Sequence, residues 1–130
     1  MQGVSLGMLE EVEEVTLTHS RLPPERKGLT HKPTIASVKT TITTGEYDDG
    51  RLGEVTIEVG KTGDESRILR IVGILLSTGL QCGVPLSEYL ENMRHHRAGT
   101  GGATDDEDIP TADSIVDYVG KWLEKKYGNK

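Results

Sequence analysis

Thr34-Ile35-Ala36-Ser37-Val38-Lys39-Thr40-Thr41-Ile42-Thr43-Thr44-Gly45-Glu46-Tyr47-Asp48-Asp49-Gly50-Arg51-Leu52-Gly53-Glu54-Val55-Thr56-Ile57-Glu58-Val59 is the stretch that decides the fold. Its first half, up to Tyr47, is dense in Thr, Val and Ile with near period-two alternation, the pattern of a strand. Asp48-Asp49-Gly50 is turn chemistry, because an Asp-Gly pair tolerates the positive φ that a hairpin connection needs. On the return strand Val55, Ile57 and Val59 point one way and Glu54, Thr56 and Glu58 the other. An antiparallel hairpin over 34–59 follows.

Downstream the period changes. From Glu65 to Gln81 apolar residues fall on nearly every face of a helix, which predicts a central, buried helix over about 65–82. Gly83 stops it and Pro85 starts the next, over about 85–97, whose apolar stripe is Leu86, Tyr89, Leu90 and Met93. Residues 98–108 are rich in Gly and acid and are expected to be flexible and exposed. A last helix over about 110–127 carries Ala112, Ile115, Val116, Val119, Trp122 and Leu123 at three- and four-residue spacing. Upstream, Val15 to His19 alternates as an extra strand would, and the acidic segment 1–14 is expected to be poorly ordered. The sum is one α+β domain over 15–130, an antiparallel sheet packed with three C-terminal helices.

Composition narrows the function. The 130 residues carry a net charge of −6, which argues against a duplex nucleic acid partner. Cys82 is the only cysteine, so neither an internal disulfide nor a cysteine-based zinc site can form, in keeping with a reducing, cytoplasmic setting. No apolar run is long enough to span a membrane. With no Phe and a single Trp, the core is lean in aromatics, which favours a homodimer that buries further apolar surface.

Positive charge is local. Arg21, Arg26, His31 and Lys32 flank prolines and a glycine, so a stiff loop could aim their donors at a phosphate; the alternative is a salt-bridged loop that fixes the sheet edge. Arg94-His95-His96-Arg97 closes the second predicted helix, either as cations at a helix C-terminus or as Arg94 and Arg97 sharing an anion with the first loop. His95 and His96 point about 100° apart on a helix and give no metal pair. Ser77 and Thr78 lie inside a helix and Cys82 has no partner cysteine, so no nucleophile arrangement emerges. The residues point to binding rather than catalysis, with no metal and no cofactor.

Five strings in fixed order carry a family resemblance. They are Arg21-Leu22-Pro23-Pro24-Glu25-Arg26, Leu29-Thr30-His31-Lys32, Tyr47-Asp48-Asp49-Gly50-Arg51, Gly79-Leu80-Gln81-Cys82-Gly83-Val84-Pro85-Leu86 and Ile109-Pro110-Thr111-Ala112-Asp113-Ser114-Ile115-Val116-Asp117-Tyr118. This order resembles the TSCPD domain, the C-terminal accessory domain of cobalamin-dependent (class II) ribonucleotide reductases. In that family the domain follows a barrel holding cobalamin and the radical cysteine, and several members continue into a cysteine-containing tail. Neither is matched here, so reductase activity, cobalamin binding and thiol relay are not implied. The run Gly99–Asp108 is also more acidic and glycine-rich than the family pattern.

The resemblance implies a stand-alone module of cytoplasmic origin, cellular or viral. Its expected role is non-catalytic binding of a nucleotide or another phosphate ligand by Arg21, Arg26, His31, Lys32, Arg94 and Arg97. The alternative is a split accessory subunit that docks on a separate ribonucleotide reductase catalytic chain.

Overall fold

A computed structural model describes residues 18–129. The elements in chain order are β1 (Thr30–His31), β2 (Thr34–Ile35), β3 (Val38–Glu46), β4 (Leu52–Val59), α1 (Asp64–Gln81), α2 (Leu86–Met93), β5 (Gly102–Ala103), β6 (Thr111–Ala112) and α3 (Ile115–Tyr127). This is the α+β arrangement, with antiparallel strands and three helices among the described residues. Segment 1–14 and residues 15–17 of the expected extra strand lie outside the described residues, while Thr18 and His19 carry no strand.

β3 is the centre of the sheet. β4 pairs along one side in the register Ile42↔Ile57 and Thr44↔Val55, and β1 and β2 pair along the other. Pairing opposite residues puts Ile42, Val55 and Ile57 on one face, and all three are buried. The predicted hairpin is present, joined by a turn in which the Gly50 N–H bonds to Tyr47 O and Gly50 adopts φ 89°. Its first strand is not continuous, however. Ala36 and Ser37, at φ 48° and 69°, make a tight two-residue turn that separates β2 from β3. Alternation alone hid this turn because Ala-Ser lacks the Gly, Asn or Asp that a turn with two positive φ values favours. Support comes from outside, where the Ala36 N–H bonds to Ala103 O at 2.7 Å.

α1 lies along the free edge of β4 rather than in the centre of the core. Ser77 Oγ accepts the Val55 N–H at 2.8 Å, and Gln81 donates to Gly53 O at 3.0 Å, so unpaired groups of the edge strand are satisfied by the helix. Gly73 completes this line, because a Cβ there would stand 2.8 Å from Val55 O. Only Leu69, Gly73 and Leu76 are buried on α1, and its opposite face leaves Ile68, Ile71, Ile74 and Leu75 exposed. The expectation of a helix buried all round is corrected: an edge-covering helix needs only one apolar face.

α1 ends as its sequence predicts. Gly83, at φ 97°, donates to Leu80 O while Val84 N–H reaches Gly79 O, a Schellman closure. α2 stops at Met93, four residues before the predicted end. Arg94 is extended and His95 takes φ 64°, because the buried Asp117 carboxylate captures the His95 N–H and turns the chain out of the helix. α3 begins at Ile115 rather than 110, since Thr111–Ala112 pairs with Gly102–Ala103 and Ser114 then caps the helix by accepting the Asp117 N–H at 3.0 Å. Tyr118, Val119, Trp122 and Leu123 from α3 close the core over the sheet.

Candidate functional site

The expected anion surface is distributed over separate neighbourhoods. Arg26 forks onto Glu54 at 3.0 and 3.2 Å and spends a third donor on Pro23 O. Arg94 places Nη1 3.1 Å from both Glu124 oxygens and donates Nε to Leu90 O. These arginines tie loop to sheet and α2 to α3, which is the salt-bridged alternative for the first loop. Arg21 and Arg97 are exposed and bond no other described residue through their side chains. Of the six residues, only His31 and Lys32 share a cleft.

That cleft, of about 670 Å³, lies between the chain at Leu29–Pro33, the loop Asp105–Asp108 and the last turns of α3. His31 stacks on Trp122 with ring centroids 4.9 Å apart and planes 1° from parallel. Its Nε2 is 2.7 Å from Tyr118 Oη, and Tyr118 donates to Asp106 Oδ2 at 2.6 Å. Burial raises the Asp106 carboxyl, but the Tyr118 hydroxyl and the Asp108 and Ile109 N–H groups, with Lys125 nearby, outweigh it and hold the carboxyl below its ordinary value. The carboxylate therefore accepts, Tyr118 gives it its only proton, and His31 Nε2–H donates to Tyr118 Oη. Burial pulls His31 below its ordinary value and pushes Tyr118 upward. The imidazole is thus neutral near pH 7, with Nδ1 as its free acceptor.

The acidic loop is largely exposed, as its composition predicts, but partners distant in sequence hold its carboxylates. Asp105 accepts the Thr34 N–H at 2.9 Å, Asp106 accepts from Tyr118, and Asp108 pairs with Lys125. Thr100 and Lys61 both bond Glu65 at the start of α1. The cleft therefore sets Asp105, Asp106, Glu107 and Asp108 against Lys32, Lys125 and Lys126. A polyanion meets more negative than positive charge there.

Asp117 has no exposed surface, and its carboxylate accepts from the His95 N–H, from the Asp113 N–H at 2.8 Å and from Lys121 Nζ at 3.0 Å. His95, Asp113 and Asp117 bring one ligand atom each within 4.8 Å of one another. Lys121 already supplies the cation beside Asp117, so the geometry is that of a structural anchor.

A second groove, about 330 Å³, joins strings far apart in sequence. Leu52, Leu80, Leu86, Leu90 and Tyr127 line it, Gly83, Val84 and Pro85 form one rim, and Arg51 and Glu124 mark the other. Arg51 is held by Asp49 at 2.7 Å and lies over the Tyr47 ring, 4.9 Å from its centroid. The Tyr47–Arg51 turn and the Gly79–Leu86 segment thus frame one concave surface of mixed character, with leucines on its floor and charged groups on its rim. Tyr127 closes its floor, sharing its hydroxyl between Thr44 and Glu46; burial pushes that phenol up to about 12.

The TSCPD domain family model matches residues 13–127. The chain belongs to the TSCPD domain family. Among curated relatives, the vitamin B12-dependent ribonucleotide reductase of Bradyrhizobium diazoefficiens is 40% identical over 129 residues, covering 95% of this chain and 10% of the relative. That of Rhodopirellula baltica is 38% identical over 118 residues, covering 88% and 11%. The Streptantibioticus cattleyicolor reductase is 37% identical over 116 residues, covering 88% and 19%. This TSCPD chain therefore spans a tenth to a fifth of these three relatives. No solved structure matches it. Among the described residues, no helix of the TSCPD chain is long and apolar enough to cross a membrane.

Sequence reasoning missed Tyr118, Trp122 and Asp106 as partners of His31, and Asp117 as an anchor. Trp122 was the available signal, being the only tryptophan of a chain without Phe.

Proposed function

We propose that this TSCPD chain is a non-catalytic accessory module that docks on the catalytic part of a vitamin B12-dependent ribonucleotide reductase. The groove between the Arg51 turn and Gly83–Leu86 is the docking surface. The observation that carries this reading is the convergence of two family-bearing strings, Tyr47–Arg51 and Gly79–Leu86, around one leucine-floored groove with an exposed Val84 on its rim. A groove with leucines on its floor and Arg51 and Glu124 on its rim suits a protein segment that presents an aliphatic side chain flanked by polar groups.

The relatives support the reading, since in them a region like this one is a small part of a whole reductase chain. The nucleotide alternative is weaker on physical grounds. Arg26 and Arg94 are committed to carboxylates, and the His31–Lys32 cleft is net acidic.

Biolayer interferometry of the immobilised chain against a purified vitamin B12-dependent ribonucleotide reductase tests the proposal. Val84→Asp and Arg51→Glu are each expected to weaken capture by about ten-fold or more, as loss of an interface anchor does. Absence of capture by wild type, together with a thermal shift on adding a nucleoside triphosphate, would replace docking by the nucleotide reading.

A further inference from the structure

The outward face of α1 is independent of that groove and carries its own pattern. Ile68, Ile71, Ile74 and Leu75 are 58, 53, 58 and 63% exposed, and Thr78 continues the line. Their spacing is that of a two-heptad seam, with Ile71 and Thr78 one heptad apart, Ile74 between them, and Ile68 and Leu75 alongside. No charge interrupts this face between Ile68 and Thr78. We infer that the face pairs with the same face of a second copy, the two α1 helices running antiparallel about a two-fold axis.

Charge selects this occupant and its direction. α1 has Asp64 and Glu65 in its first turn and no basic residue in its last, unlike α3 with Lys125 and Lys126. Its own last turn thus supplies no cation to the negative pole. An antiparallel second copy supplies one, because its Arg67 then falls beside Gly79–Gln81 while Ile71 meets Leu75 and Ile68 meets Thr78. Arg67 is free to do so, being 77% exposed and only loosely held by Asp64 at 3.3 Å. A parallel pair would instead bring the two Arg67 side chains together. An isologous contact of this kind is closed and self-limiting. One helix stripe is smaller than the roughly 800 Å² per partner of a stable interface, so the pairing is reversible and concentration-dependent.

Sedimentation velocity of the full chain over rising concentration is the test. The expected result is a mass moving from 14.2 kDa toward twice that value. Ile71→Glu and Leu75→Glu should each hold the protein at the monomer mass with an unchanged circular dichroism spectrum, because both side chains are exposed in the single copy. Arg67→Glu should weaken association by about two- to five-fold at low salt, the scale of a helix-pole charge. A wild type that stays monomeric throughout overturns the pairing, as does a Leu75→Glu protein that still dimerises. An Arg67→Glu protein that associates as tightly as wild type overturns the antiparallel direction. No reductase is present in this assay, so its outcome is separate from the docking proposal.

Discussion

Replacing Asp117 with alanine removes a fully buried carboxylate and leaves the backbone N–H groups of His95 and Asp113 without an acceptor. It also deprives Lys121 of the oxygen that it contacts at 3.0 Å. Each buried donor left unsatisfied costs about 1–3 kcal/mol, and breaking a buried pair from one side costs about 3–5 kcal/mol. These terms overlap, so a loss of about 4 kcal/mol is expected out of the roughly 5–15 kcal/mol that holds a domain of this size. At roughly 3–5 °C per kcal/mol, the melting temperature should fall by about 15 °C. Thermal melts followed by circular dichroism, with urea titrations in parallel, measure this directly.

Asp117→Asn keeps one acceptor oxygen and should lose about half as much. The pH dependence gives a second readout. Burial raises the Asp117 carboxyl, but the His95 and Asp113 N–H groups and Lys121 outweigh it, so the folded value lies below the ordinary one. A depressed folded value means stability that is present above the unfolded value, about 3.9, and lost as pH falls through the folded one. In Asp117→Asn this acid loss should shrink. An alanine variant melting within about 3 °C of wild type, less than 1 kcal/mol, would refute the anchor reasoning.

Trp122 fluorescence should report the protonation of His31, which stacks on it; burial lowers His31, so the midpoint should lie below 6.5. The linked stability is complete above the unfolded value and declines as pH falls from about 6.5 toward the folded value, and a midpoint at or above 6.5 contradicts the stacked geometry. Ser77→Ala strips the Val55 N–H of its partner and should cost about 1–3 kcal/mol in urea melts, whereas a loss under 0.5 kcal/mol would mean that water replaces the hydroxyl. Gly73→Ala improves helix propensity by about 1 kcal/mol yet should destabilise the protein by about 1–3 kcal/mol net, because its Cβ meets Val55 O at 2.8 Å; a stabilised variant would show that α1 can lift off the edge strand.

Local chemistry made much of the fold legible. Alternation and an Asp-Gly turn specify the β3–β4 hairpin, and the Gly83 closure sets the end of α1 to within a residue. The site was less legible because a charged residue does not announce its partner. Arg26 and Glu54 lie 28 residues apart, and Arg94 and Glu124 lie 30 apart; their pairing turns two expected ligand-binding arginines into structural ties. The partners of the acidic loop were hidden for the same reason. Its carboxylates look repulsive in sequence and become acceptors for Thr34, Tyr118 and Lys125 once the strands and α3 are in place.

The sequence alone determined the α+β class, the hairpin, the three helices of the described residues and the family, since each rests on short-range periodicity, turn chemistry or motif order. Tertiary structure alone decided that α2 stops at Met93, that His31 is a stacked neutral imidazole, and that α1 turns an apolar face outward. In each case the deciding partner is distant in sequence: Asp117 for the helix end, Trp122 and Tyr118 for the histidine, the β4 edge for α1. A buried carboxylate must find donors and an edge strand must be covered, and only the assembled chain determines which residues meet those demands.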